Sequence, residues 1–194
     1  MTSPSLALKI SVFAHVSAQP QALAEVFNGA VASSVDSEID LAIFAINPAA
    51  GIDQMTIDLW HQVSEYQIPR LLLVVGLDGS EIDFDDAVLV ANRVLDPVVT
   101  PYLVLHGDNG EPAALISLSD MKIRDYSTTP PTIRESESEH QEIISDFRHE
   151  YLEALQEMGE DAFAAGLLFP AIPIVLGKNI GIDIAGQYIN QLSS

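Results

Sequence analysis

Four short stretches of the chain are apolar without interruption by polar alternation: "LALKISVFA" (6–14), "DLAIFAIN" (40–47), "RLLLVVGL" (70–77) and "AIPIVLG" (171–177). Continuous apolarity over this length predicts strands buried on both faces, the pattern of a parallel sheet covered by helices. Between them the spacing changes to that of a helix. Residues 52–66 place Ile52, Met55, Leu59 and Val63 on one stripe, with Trp60 beside it as a core or interface aromatic, and residues 83–94 do the same with Phe84, Val88 and Ala91, Leu95 lying close by. Strand and helix in alternation predict a doubly wound α/β fold. From about 97 to 127 the pattern becomes strand, Asp108-Asn109-Gly110 turn, then two more strands, an antiparallel meander inserted into the parallel sheet or leaning on it. "STTPPTIRESESEH" reads as a mobile linker. A long helix is expected over about 138–157 and a shorter one to about 168, then the last strand and a closing helix from about 181. The 194 residues suffice for a single domain, 1–194, with an insert at about 80–160.

Charge narrows the choice of partner. Twenty-eight acidic residues against 8 basic ones give a formal net charge of -20, which repels phosphate backbones and argues against nucleic acid. The absence of cysteine excludes disulfides and thiolate chemistry and fits a reducing compartment. "MTSPSLALKISVFAH" lacks the basic leader and cleavage site of a secretory signal, and no apolar run approaches the roughly 18 residues that span a bilayer. A cytoplasmic protein with no membrane contact is expected.

Catalytic and metal motifs are scarce. No G-x-S-x-G elbow is present, and His15, His61, His106, His140 and His149 have no metal-binding spacing. Each reads as a surface or capping residue. Asp53 with Asp58, Asp85-Asp86 and Glu160-Asp161 sit near helix starts, where carboxylates serve as caps and dipole partners. No catalytic residue, metal or cofactor is expected from these patterns.

Four phrases carry a family resemblance. "DLAIFAINPAAGIDQMTIDLWHQVSEYQIPRLLLVVGLDG" is similar to the form D-x-A-[VI]-x-V-[VI]-[DN]-x-x-x-G-[VI]-x-x-Q-[TM]-x-x-x-W-x-x-[AV]-x-x-Y-x-[VI]-P-R. "DPVVTPYLVLHGDNGEPAALISLSDMKIRDY" is similar to an insert whose strands end near M-K-A, and "FPAIPIVLGKNIGIDIAGQYI" to a strand carrying a ribose-and-base loop. Together with "AHVSAQPQALAEVF", standing where the family has [AG]-H-[IV]-D-x-G-K-T-T, these resemble the GTPase domain of translational GTPases, elongation factor G in particular. The resemblance implies a mostly parallel sheet of P-loop GTPase type with a small antiparallel insert.

The departures from that pattern set the functional expectation. Ser17 stands for the family's Asp, Gln19 for its Gly, Pro20 for its phosphate-binding Lys and Gln21 for its magnesium-binding hydroxyl residue. Pro20 offers no N–H and fixes φ, Gln19 adds a side chain where backbone must approach phosphate, and Gln21 is a poor magnesium ligand. Val75-Gly76-Leu77-Asp78 occupies the place of Asn-Lys-x-Asp, leaving Asp78 as a guanine contact or an Asp-Gly turn. Lys178 falls in the last loop, where it could meet an anion or water. After the first helix, "EVFNGAVASSVDSEIDLAIF" leaves no room for the first switch, two strands and the D-x-P-G-H segment of the family.

The resemblance therefore implies a truncated pseudo-GTPase, catalytically inactive, serving as an interaction or oligomeric module. Its partner is an unknown protein or a second copy, met through an open edge at 6–14. The alternative is a non-hydrolysing nucleotide or small-anion binder using Ser17, Asp78 and Lys178.

Overall fold

The computed structural model describes residues 7–79 and 81–194. Five parallel strands form the main sheet: β1 (Ile10–Ala14), β2 (Ala30–Val31), β3 (Leu41–Ile46), β4 (Arg70–Val74) and β9 (Ala171–Pro173), in the order β2-β1-β3-β4-β9. Every residue of β3 and β4 is buried, which is why their sequences show no alternation. Helices α1 (Pro20–Val26), α2 (Gln54–Glu65), α3 (Phe84–Val94) and α6 (Ile182–Gln191) supply the cover. Asp53 and Asp83 start α2 and α3 as caps, accepting the amides of Thr56 (2.8 Å) and Asp86 (3.0 Å). Phe13, Phe44, Trp60 and Phe169 run through the core with ring centroids 5.0–5.4 Å apart.

A second sheet is wholly antiparallel: β5 (Tyr102–His106), β6 (Pro112–Ser117), β7 (Lys122–Asp125) and β8 (Thr132–Glu135). The expected Asp-Asn-Gly hairpin joins β5 to β6, with Gly110 φ at +78°. Leu103, Ile116, Leu118 and Ile123 pack there with Ile144 and Tyr151, a small core beside the main one. This meander forms its own sheet and leans on the parallel one through a bridge between Val99 and Pro170.

Several expectations give way. β1 is an interior strand, not the open edge predicted for 6–14: β2 pairs with it at Ser11 and Val12, and the Ala32 amide donates to the Val12 carbonyl at 2.9 Å. Position 6 lies outside the described residues, as does position 80 at the start of the insert. The segment predicted as a linker contains β8, which pairs with β7 from Lys122–Glu135 to Asp125–Thr132. Hydrogen bonding to a neighbouring strand orders four exposed residues that composition marks as loop. The helix expected over 138–157 is two, α4 (Ser138–Ile143) and α5 (Ser145–Met158). Ile144 turns inward at the junction, and the Ser145 hydroxyl donates to the Glu142 carbonyl at 3.0 Å, competing with helical pairing. No helix occupies 159–168. Gly166 there has φ +70°, and a Cβ on it would lie 2.2 Å from the Gln67 carbonyl oxygen. Among the described residues, no helix is long and apolar enough to cross a membrane.

Candidate functional site

Strand order reverses direction between β1 and β3, so the crevice at their carboxyl ends is where a doubly wound sheet places a ligand. Ser17, Gln19, Pro20 and Gln21 lie there, in the connection from β1 to α1. Residues Val16–Ala18 form one 3-10 turn capped by His15. Its internal bonding is complete over three successive amides. Ser17 N–H donates to His15 Nδ1 (3.2 Å), Ala18 N–H to the His15 carbonyl (2.9 Å) and Gln19 N–H to the Val16 carbonyl (3.1 Å). The Ser17 hydroxyl also sits 2.8 Å from His15 Nδ1. Pro20, at the first helical position, has no N–H to give.

Gln19 takes the left-handed conformation, φ +54° and ψ +51°. A nest for an anion needs consecutive amides that converge outward. Here those of residues 17, 18 and 19 face acceptors of their own turn. Pro20 is buried, while Gln19 and Gln21 are exposed.

The far wall of the crevice is Asn47, a residue that sequence reasoning does not single out. It follows β3, and its Nδ2 donates to the Ser17 carbonyl across the crevice at 3.0 Å while its Oδ1 accepts from the Ala49 amide at 3.1 Å. The same side chain covers Gly76, where a Cβ would come within 2.8 Å of it. Gly76 is thus held to glycine by the packing of Asn47, with φ at +70°. The signals for Asn47 in the sequence are its place at the end of a buried strand before Pro48 and at the [DN] position of the family form.

Asp78 and Lys178 belong to the same end of the sheet but stand apart from this turn. Asp78 is exposed in a turn with Gly79, whose φ is +71°. Lys178 ends a 3-10 turn after β9, and its Nζ donates to Glu111 Oε2 (2.8 Å) and to the Pro112 carbonyl (3.2 Å). Its charge thus ties the last loop to the β5–β6 hairpin. Beside the capped turn opens a cavity of about 430 Å³ whose walls include His15, Val31, Asp53 and Met55, and no lysine or arginine lines it. A hydrogen bond from Thr56 holds the Asp53 carboxyl below the usual carboxylate range, fixing it as an anion in its capping role.

Two further charged clusters lie outside the sequence-based expectations. The Arg70 guanidinium is buried between the rings of Trp60 (4.7 Å) and Phe169 (3.9 Å), 3.5 Å from Asp96, and its Nη1 donates to Ser64 Oγ. Burial lowers its pKa to about 10, against the opposing pull of Asp96. Arg124 of β7 and Tyr126 just after it both bind Asp183 in the first turn of α6, at 2.8 and 2.7 Å, fastening the antiparallel sheet to the main body. Both clusters are internal to the fold. Among the described residues, no group of three or more metal-ligating side chains converges.

No protein-family model matches the chain. In sequence it is similar to an elongation factor G-like protein of Mycobacterium tuberculosis, in strains CDC 1551 / Oshkosh and ATCC 25618 / H37Rv. Identity is 25% over 166 residues, covering 73% of this chain and 22% of that protein. In fold it is similar to a solved protein from Thermus thermophilus, with a TM-score of 0.70 at 23% identity, over 81% of this chain and 26% of that one. The chain therefore spans about a quarter or less of the proteins it resembles. Its relation to elongation factor G-like proteins rests on sequence, and the structural likeness adds the fold.

Proposed function

We propose that the chain is a catalytically inactive domain of P-loop GTPase type, related to elongation factor G-like proteins, that works as a protein-interaction or oligomeric module. One observation carries this reading: the amides of Ser17, Ala18 and Gln19, which a phosphate cradle would need, are taken up inside their own turn. Magnesium and a guanine nucleotide, which such a fold implies, do not fit the donor set here. The turn offers no cation at Pro20 and no hydroxyl at Gln21, and Asn47 bonds the Ser17 carbonyl across the crevice. No reaction step is derived through them.

Calorimetric titration with GTP and GDP, each with and without magnesium, tests the proposal. The expected result is no heat of binding at high micromolar concentrations. Saturable heat, lost on Asp78→Ala, would instead establish a non-hydrolysing nucleotide binder. Against that second reading stands Lys178, whose ammonium is already neutralised by Glu111.

The interaction role is not expected to use the β2 edge of the main sheet. β2, the strand at that edge, is two residues long and offers few backbone groups for strand addition.

A further inference from the structure

Helix α3 carries an outward stripe whose order is unusual for this chain. Asp86, Leu89, Val90 and Arg93 are spaced i, i+3, i+4 and i+7, so they share one helix face, and all four are exposed. Leu89 and Val90 are 57% and 45% exposed. All four line one cavity of about 390 Å³, opposite Pro48, Gly51 and Ile52 of the connection between β3 and α2. Arg93 is one of only 8 basic residues in a chain with 28 acidic ones, yet neither it nor Asp86 has an ion-pair partner among the described residues.

The stripe is self-complementary under a two-fold axis. The midpoint between positions 86 and 93 coincides with the midpoint between 89 and 90. Laying α3 antiparallel on α3 of a second copy therefore sets Asp86 against Arg93 at both ends, about 10.5 Å from each other along each helix. Leu89 meets Val90 in the middle. An isologous contact of this kind uses the same patch twice and closes on itself.

A parallel arrangement would set Asp86 on Asp86 and Arg93 on Arg93, which repel. The helix dipoles favour the antiparallel choice as well. The apolar wall opposite α3, at Ile52 and Pro48, lies beside the helix pair and widens the buried patch.

We propose that this face joins two copies of the chain through an antiparallel α3 pair. The idea rests on the interaction-module reading above and names its partner. One helix pair with its rim is at the small end of specific interfaces, so association in the micromolar range is expected. Each copy carries a net charge of -20, and this long-range repulsion is screened at 0.15 M salt, where charges beyond about 8 Å interact weakly.

Sedimentation velocity from 5 to 200 µM at 0.15 M salt should show mass rising from 21.0 kDa toward twice that value. Asp86→Arg and Arg93→Asp should each weaken self-association at least tenfold, because like charges then meet at both ends. Mixing the two variants should restore it, since every contact between unlike copies is again a pair of opposite charges. Native mass spectrometry reads that heterodimer by its mass. Urea unfolding of each variant alone confirms that its monomer is folded. Leu89→Lys, which leaves the Asp83 cap untouched, gives a further variant that should remain monomeric.

A protein that stays monomeric to 200 µM overturns the proposal. So do single variants that dimerise as the parent does, or a mixture that fails to form the heterodimer. Nucleotide binding is read by a separate titration, so a failed dimer and a failed pseudo-GTPase reading are distinguishable.

Discussion

Replacing Asn47 by Asp changes one group, an NH2 for an oxygen, at the point where β3 meets the turn after β1. The contact to the Ala49 amide survives, because a carboxylate oxygen accepts it as the amide oxygen does. The contact to Ser17 does not. At 3.0 Å from the Ser17 carbonyl the donor is replaced by an anionic acceptor. Loss of the hydrogen bond costs about 1 kcal/mol, and two acceptors facing each other in a partly buried place add about 1–2 kcal/mol. The expected destabilisation at pH 7 is about 2–3 kcal/mol.

The cost has a pH signature. Protonation turns the new carboxylate into a donor and relieves the opposition, so its folded pKa rises above the unfolded value of about 3.9. A relief of about 2 kcal/mol corresponds to a rise of about 1.5 units, at 1.36 kcal/mol per unit. For an acid raised in the folded state, the penalty is full above the folded pKa and disappears as pH falls toward the unfolded one. By pH 5, a practical lower limit because the chain's pI is about 4.2, about 0.7 kcal/mol of the difference from the parent should be recovered. Asn47→Ala, which loses both hydrogen bonds, serves as the control, with a cost independent of pH. Urea titrations of the three proteins at pH 7 and pH 5, with a common slope, measure these differences. A penalty for Asn47→Asp under about 0.5 kcal/mol at pH 7, or one unchanged between the two pH values, would refute the assignment of Asn47 as the clasp of the crevice.

Three further substitutions test the packing that positions the site. Asp96→Ala leaves the Arg70 guanidinium buried without its counter-ion and removes the acceptor of Trp60 Nε1 at 2.8 Å. With Asp96 partly exposed, about 3 kcal/mol is expected, at the low end for a broken buried pair. Arg70→Met, which removes the charge and keeps the volume between Trp60 and Phe169, should cost about 1 kcal/mol or less, and the double variant should be more stable than Asp96→Ala alone; chemical denaturation decides the order. Gly181→Ala forces a Cβ to 2.0 Å from the Pro173 carbonyl oxygen at a φ of +81°, so a thermal scan should show a loss of several degrees or no folded protein.

What can be read without coordinates follows from where the physics is local. The buried strands β1, β3 and β4 are apolar at every position except Ser11 and Arg70, and that information lies within each segment. β8 is illegible because all four of its residues are exposed and two prolines stand just before it; its order comes from β7, across a turn. β2 is too short to have a period. At the site, the substitutions at Gln19, Pro20 and Gln21 are visible as residues. Their consequence depends on bonds that sequence does not show. Asn47 reaches Ser17 across 30 positions and Lys178 reaches Glu111 across 67, and nothing at either end marks the partner. Arg70 heads an apolar strand, and the two aromatic rings and Asp96 that enclose it come from segments distant in sequence.

The amide resonances of Ser17, Ala18 and Gln19 report most directly on whether this turn can grip a phosphate. A heteronuclear NMR titration with magnesium GTP, followed to millimolar nucleotide, should leave these three signals where they stand in the free protein. Saturating shifts at all three, with protection of their N–H groups by the nucleotide, would contradict the account.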